Sequence, residues 1–312
     1  MTPDKDTIQE LFLPVGNDHR LYVQEWGNPK ANTSPIIFLH GGPGAGCNDK
    51  QKGLFNPANQ HVIFFDQRGS GHSQPYGRLE HNTTDDLVSD ITKIANHFAF
   101  DMFTITGGSW GSCLALTYAI RHPKRVHAMA LRGIFTGAQE EQDYIDQGGF
   151  RTFFPEVWER FVEATPKEHR KNPAAYHHAQ MQGENVAAAR RSACAYSNLE
   201  GALMKLDDRF RPTEPEDPHF DPVCATIESH YLSAGCFLPD DRYILKNAHK
   251  LTMPIWLVQG RYDMVCPPKT AYALHKLLPN SHLLFAIGGH SGGEHEIENI
   301  LRTILQSQIG TI

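Results

Sequence analysis

The chain has 312 residues, 40% hydrophobic and 10% aromatic, which suits one large domain or about two ordinary ones with a sizeable packed core. A formal charge of −6, with no basic run longer than Arg190-Arg191 or the scattered lysines of 167–171, argues against a nucleic-acid or anionic-membrane surface. Met1-Thr2-Pro3-Asp4-Lys5-Asp6 is too polar for a secretory leader, and apolar runs such as Ile36-Ile37-Phe38-Leu39 are far shorter than the ~20 residues of a membrane span. A soluble, cytoplasmic protein is therefore expected. The six cysteines, at 47, 113, 194, 224, 236 and 266, show no CxxC pairing and read as reduced thiols rather than a disulfide framework or a zinc site.

In chain order, the first 135 residues alternate short β-rich runs with helical stretches. Residues 21–25, 36–40, 62–66, 103–107 and 126–131 are rich in Val, Ile, Leu and Phe without strict alternation, the pattern of strands buried on both faces. Between them, 85–99 carries Leu87, Ile91, Ile94, Ala95 and Phe98 at helical spacing, and 109–121 forms a second helix that stops before Pro123. From about 136 to 242 the chain changes character: helix formers dominate, and a connection with Pro212, Pro215, Pro218 and Pro222 interrupts them. Strands resume at 255–259 and 282–286, followed by a helix from about 294 to 306. This order predicts an α/β architecture. A mostly parallel sheet flanked by helices is formed by 1–135 and 243–312, and a helical cap, 136–242, is inserted over one edge. Ligands of such sheets sit at the carboxyl ends of the strands, under the cap.

The strongest chemical signal is Gly107-Gly108-Ser109-Trp110-Gly111, which follows a strand directly and opens a helix. That context is the nucleophile elbow of the α/β-hydrolase fold, whose sharp turn leaves no room for side chains two residues either side of the serine. A serine hydroxyl is a weak nucleophile near neutral pH and needs a base oriented by a third group. In this fold the chain order is Ser, acid, His. Asp263 follows the strand 255–259, and His290 follows 282–286 through Gly288-Gly289, so both belong to the sheet edge that carries Ser109. The rival for Asp263 is a turn or helix-capping role before Pro267. Of 18 histidines, His290 is singled out by its place after the last strand; His282 and His295 fit the base role less well. His290, Glu294 and His295 have the spacing H-x-x-x-E-H, not that of the helical zinc motifs, and Gly292-Gly293 argues against a rigid helix, so no metal is expected. His40-Gly41-Gly42-Pro43-Gly44 lacks the spacing of phosphate-binding loops. Its small residues suit an oxyanion hole made by the N–H groups of Gly42 and Trp110. Asp66-Gln67-Arg68-Gly69-Ser70-Gly71-His72-Ser73 reads as structural, with Asp66 and Arg68 tying loops together.

Taken together, HGGPG at 40–44, DQRGSGHS at 66–73, GGSWG at 107–111, LRGIF at 131–135, FFPEVWERF at 153–161 and GRYD at 260–263 resemble the proline iminopeptidases. The resemblance spans nearly the whole chain. It implies release of an N-terminal proline from peptides without a cofactor. It also implies that the substrate's free imino group is held by two cap glutamates, which map to Glu200 in Tyr196-Ser197-Asn198-Leu199-Glu200-Gly201 and Glu228 in Ile227-Glu228-Ser229-His230-Tyr231. A protonated amine leaving water needs such carboxylate partners. Without the resemblance, each would read as a solvated helix-face glutamate. Two departures bear on pocket shape: Tyr196 and Leu199 replace tryptophans of the family pattern, and Ser229 replaces an asparagine. Phe135 matches a pocket-lining aromatic or is plain core, and the ring of Trp110 is expected as a further wall.

The expected activity is that of a serine exopeptidase releasing N-terminal proline, with tolerance of other small residues left open. One alternative keeps the triad but acts as an esterase, amidase or acyltransferase on a small acyl compound. A second, a non-catalytic binding protein on the same scaffold, sits badly with the presence of all three triad candidates.

Overall fold

A computed structural model describes residues 6–207 and 210–309. Eight strands form one sheet in the order β1-β2-β4-β3-β5-β6-β7-β8. They are β1 (Thr7–Gly16), β2 (His19–Gly27), β3 (Ile36–Leu39), β4 (His61–Phe65), β5 (Phe103–Ser109), β6 (Val126–Ile134), β7 (Ile255–Gly260) and β8 (Ser281–Ala286). β2 runs antiparallel to both β1 and β4, and every pairing from β4 through β8 is parallel. This is the expected α/β-hydrolase architecture, with one addition. The sequence reading begins at residue 21 and misses β1, an edge strand that is mostly exposed. With few buried positions, it lacks the continuous apolar run that marks the central strands. Gly16, Asn17 and Asp18 all take positive φ and turn β1 into β2, a conformation that suits Gly, Asn and Asp.

The parallel register sets the geometry of everything above it. Leu39, Gly107, Leu131, Leu257 and Leu283 form one row across β3, β5, β6, β7 and β8. The chain leaves each strand a few residues beyond this row, so all five connecting loops emerge on one edge. Leu39, Leu131 and Leu257 are fully buried, in a core shared with α1 (Thr84–His97) and α2 (Trp110–Arg121). On the opposite face Phe38, Phe64, Ala130 and Val258 pack with Ile297 and Leu301 of the last α-helix, His295–Thr303.

Between β6 and β7 lie α3 (Gln139–Asp146), α4 (Pro155–Glu163), α5 (Pro173–Met181), α6 (Val186–Leu203), α7 (Val223–Ser233) and α8 (Tyr243–Asn247). Phe150, Phe161, Met181, Tyr196 and Leu203 give this helical layer an apolar cluster of its own. Pro155 and Pro173 stand in the first turns of α4 and α5, where a missing N–H costs nothing, and Asn172 and Asn185 cap α5 and α6 through their side chains. α1 opens with a capping box between Thr83 and Asp86. No helix among the described residues is long and apolar enough to cross a membrane.

Candidate active site

Ser109 closes β5 two residues beyond the leucine row and stands immediately before α2 with φ 58° and ψ −128°. A left-handed, non-glycine conformation of this kind is strained and persists only where the surroundings enforce it. Here they do. A Cβ on Gly107 would lie 2.6 Å from the Leu39 carbonyl oxygen, and one on Gly111 only 2.3 Å from that atom. The bare glycines let the elbow press against the end of β3 and hold Ser109 at the tip of the turn, beside the positive end of α2.

Asp263 and His290 come from the loops after β7 and β8. The Nδ1–H of His290 donates to Asp263 Oδ2 at 2.8 Å, with both residues 2% exposed. Asp263 is fixed from three further directions: the N–H groups of Val265 and Cys266 donate to Oδ1 at 3.0 and 2.7 Å, and Gln259 Nε2 donates to Oδ2 at 3.0 Å. A carboxylate so held commits the imidazole to the tautomer with Nδ1 protonated and leaves Nε2 free to accept a proton. The dyad faces Ser109 across β6. Ser109 pairs in register with Ile134, and the preceding Gly133 lies against the dyad, where a Cβ would stand 3.0 Å from His290 Cε1 and 3.5 Å from Asp263 Oδ2.

The His290 loop is also tied from above and from the side. The N–H groups of His290 and Ser291 donate to the carbonyl of Met204, just past α6, at 3.1 and 2.8 Å, and Arg132 Nη1 donates to the carbonyl of His290 at 2.8 Å. Glu294, part of the H-x-x-x-E-H pattern, accepts from the N–H groups of Gly289 and Leu206. That carboxylate braces the loop.

Gly42 lies in the loop after β3 and Trp110 is the first residue of α2, so the two expected oxyanion donors flank Ser109 from different strands. A Cβ on Gly41 would stand 3.4 Å from the Cβ of Ser109, a measure of how close the glycine loop comes. The Trp110 ring departs from expectation. It is fully buried, packs tilted against Tyr231 with ring centroids 4.7 Å apart and donates Nε1–H to Gln67 Oε1 at 2.9 Å, so it points into the core rather than forming a wall of the pocket.

One cavity is lined by Ser109, Gly42, Phe135, Glu200 and Glu228 together. Glu200 projects from α6 and Glu228 from α7, close enough for each carboxyl to perturb the other. Burial raises the proton affinity of both. For Glu228 the negative charges of Glu200 and Asp146 add to burial and carry it well above the usual carboxyl range. Neighbouring like charges drawn out of water disfavour joint ionisation, so a proton is favoured on the ligand-free pair. Phe135 lines the cavity and also packs against the main core. Tyr196 and Leu199 also line the cavity and belong to the helical layer's apolar cluster.

Sequence reasoning missed several residues here. Gln259, which braces Asp263, carried a legible signal: it is the one polar residue in Ile255-Trp256-Leu257-Val258-Gln259 and is fully buried. Asp146 and Cys266, also in the lining, carried none, because their approach depends on how α3 and the loop after β7 pack.

The model of the alpha/beta hydrolase fold matches residues 34–295. The chain is 39% identical over 298 residues to a proline iminopeptidase of Xanthomonas citri, covering 94% of each chain. Among solved structures it resembles a proline iminopeptidase of Mycobacterium smegmatis, with a TM-score of 0.60 at 19% identity, covering 95% of this chain and 97% of that one. An esterase of Exiguobacterium antarcticum is as similar in fold, with a TM-score of 0.63 at 19% identity over 96% and 97% of the two chains. The two solved structures speak for fold alone, while the sequence identity over nearly the full length reaches further: this chain belongs to the proline iminopeptidase family of the α/β-hydrolase fold.

Proposed function

We propose that the protein is a cytoplasmic serine exopeptidase that releases N-terminal proline from peptides, with residues 136–242 acting as the cap that selects the terminus. Ser109 attacks the first peptide carbonyl while His290 Nε2 takes its proton, and Asp263 stabilises the imidazolium that forms. The N–H groups of Gly42 and Trp110 receive the oxyanion. His290 then protonates the leaving amine, and water hydrolyses the acyl-enzyme by the same relay.

The observation that carries this reading is the pair Glu200–Glu228, on two cap helices, facing the cavity that contains Ser109. An ester or amide hydrolase with no amine to hold would keep two carboxyls together in this cavity, Glu228 buried and Glu200 partly so, at a cost and with no return. The charged pair fits a cationic secondary amine, with Phe135 and Leu199 offering apolar contact to the pyrrolidine ring.

The test is hydrolysis of a panel of amino-acid naphthylamides beside p-nitrophenyl acetate by the wild type, Ser109→Ala and Glu200→Gln. The proline amide is expected to be preferred, and Ser109→Ala to abolish all turnover. Glu200→Gln should lower kcat/KM for the proline amide about ten-fold or more, since a charge-assisted hydrogen bond of ~1.5–3 kcal/mol is weakened, while ester turnover holds. Wild-type cleavage of the ester alone would remove the proline assignment and leave the triad standing.

A further inference from the structure

The two expected oxyanion donors follow neighbouring strands, β3 and β5, whose backbone ladder ends at Leu39 and Gly107, and side-chain contacts link the segments beyond that point. Gln67, in the loop after β4, lies between them and is 2% exposed. Its Oε1 accepts the indole N–H of Trp110 at 2.9 Å, and its Nε2 donates to the carbonyl of His40 at 2.9 Å. The partners fix which way the amide faces: an indole nitrogen can only donate and a carbonyl can only accept, so the flipped amide would lose both bonds.

The backbone of Gln67 makes a third link. Its N–H donates to His40 Nε2 at 2.9 Å, which leaves the imidazole proton on Nδ1, 2.8 Å from the carbonyl oxygen of Gly41. Ser70 Oγ, 3.1 Å from Nε2, is engaged as a donor to the Gln67 carbonyl. Burial keeps His40 in the neutral form that this tautomer requires. The Gly41–Gly42 peptide is trans, so its C=O and N–H point in opposite directions. Holding the Gly41 oxygen on the imidazole therefore orients the Gly42 N–H away from it.

We propose that Gln67 is the positioning residue of the oxyanion site, a bracket that sets the Gly42 loop and Trp110 relative to each other before substrate arrives. It touches neither substrate nor reacting atoms. The proposal rests on the reading of Gly42 and Trp110 as oxyanion donors. It gives the glutamine of the DQRG segment a task that a plain buried, satisfied amide would not have.

The experiment compares wild type, Gln67→Met and Trp110→Phe on proline naphthylamide and p-nitrophenyl acetate. Inhibition by pyrrolidine-2-boronic acid, whose adduct with a serine places a hydroxyl where the oxyanion forms, is measured alongside. Removing a direct oxyanion donor costs roughly 10²–10³ in kcat, so displacing two donors without removing them should cost about ten- to a hundred-fold in Gln67→Met. KM should stay within about two-fold and boronate affinity should fall in step with kcat. Trp110→Phe, which cuts one tether and keeps the ring, should show a smaller loss of the same kind, and the double variant should be no worse than Gln67→Met alone. Unchanged kcat and boronate affinity in folded Gln67→Met would overturn the proposal. So would a rise in KM alone. Should Gln67→Met not fold, Trp110→Phe decides on the same two readouts. Ser109→Ala separates the readings: if it retains turnover the serine mechanism fails, whereas its loss beside an unaffected Gln67→Met sinks only the bracket.

Discussion

At the scale of single residues, the cap carboxyls make a prediction that activity alone does not. Ligand-free Glu228 holds its proton to higher pH than an ordinary glutamate because it is buried beside Glu200 and Asp146. A cation binding there favours the ionised form, so the proton must leave. Calorimetric binding of proline to Ser109→Ala, repeated in buffers of different ionisation enthalpy, should show proton release above the ordinary carboxyl range and below the raised value. Glu228→Gln should abolish it, and equal heats in all buffers for the parent would contradict the shared-proton description. Much at this scale was legible in the sequence. Strand-then-loop placement singled out Asp263 and His290, which the fold brings into hydrogen-bond contact. The orientation of the Trp110 ring was not legible, because the motif fixes its backbone while Gln67 and Tyr231, from distant segments, draw the ring inward.

At the scale of elements, the end of β6 matters as much as the elbow. Gly133 sits at φ 51° with the His290 ring above it. An alanine there costs about 1–2 kcal/mol of backbone strain and meets the imidazole at 3.0 Å, pushing it off Asp263. Gly133→Ala should lower kcat by about 10²-fold while the folded protein persists, as kinetics beside circular dichroism would show. A second element-level contact lies away from the chemistry. Arg68, after β4, makes a two-pronged pair with Asp90 of α1, Nε to Oδ2 at 2.6 Å and Nη2 to Oδ1 at 2.8 Å, both fully buried. Asp90→Ala leaves the buried guanidinium with Asp86, at 3.3 Å, as its remaining carboxylate and should cost about 3 kcal/mol in denaturant unfolding. The sequence reading gave Arg68 and Asp66 roles in tying loops together without naming their partners. Asp66 accepts the N–H groups of Cys47 and His72, whereas the partner of Arg68 lies one helix away and cannot be read from spacing within a loop. Buried strands were readable from their apolar runs, whereas β1 hid because half its positions face water.

For the whole molecule, the sheet carries Ser109, Asp263 and His290 and the helical layer carries Glu200 and Glu228, the proposed amine partners. Their meeting depends on the long insertion between β6 and β7. A change in composition marked the helical stretch between the strands, but the mutual approach of Glu200 and Glu228 was visible only through the resemblance, since nothing in either helix turns the two faces toward each other. The whole-molecule relation is also where the hydrogen bonds from His290 and Ser291 to the carbonyl of Met204 have their largest effect. A cap is usually pictured as exchangeable, a specificity cartridge that evolution or an engineer can swap over a fixed catalytic base. Here one backbone oxygen of the helical layer is part of the mounting of His290, the proposed general base. A chimera that keeps the triad but brings a cap with no carbonyl at that point would inherit a loosened imidazole. Its new substrate range would arrive together with a slower reaction, so specificity and rate cannot be inherited separately in this architecture.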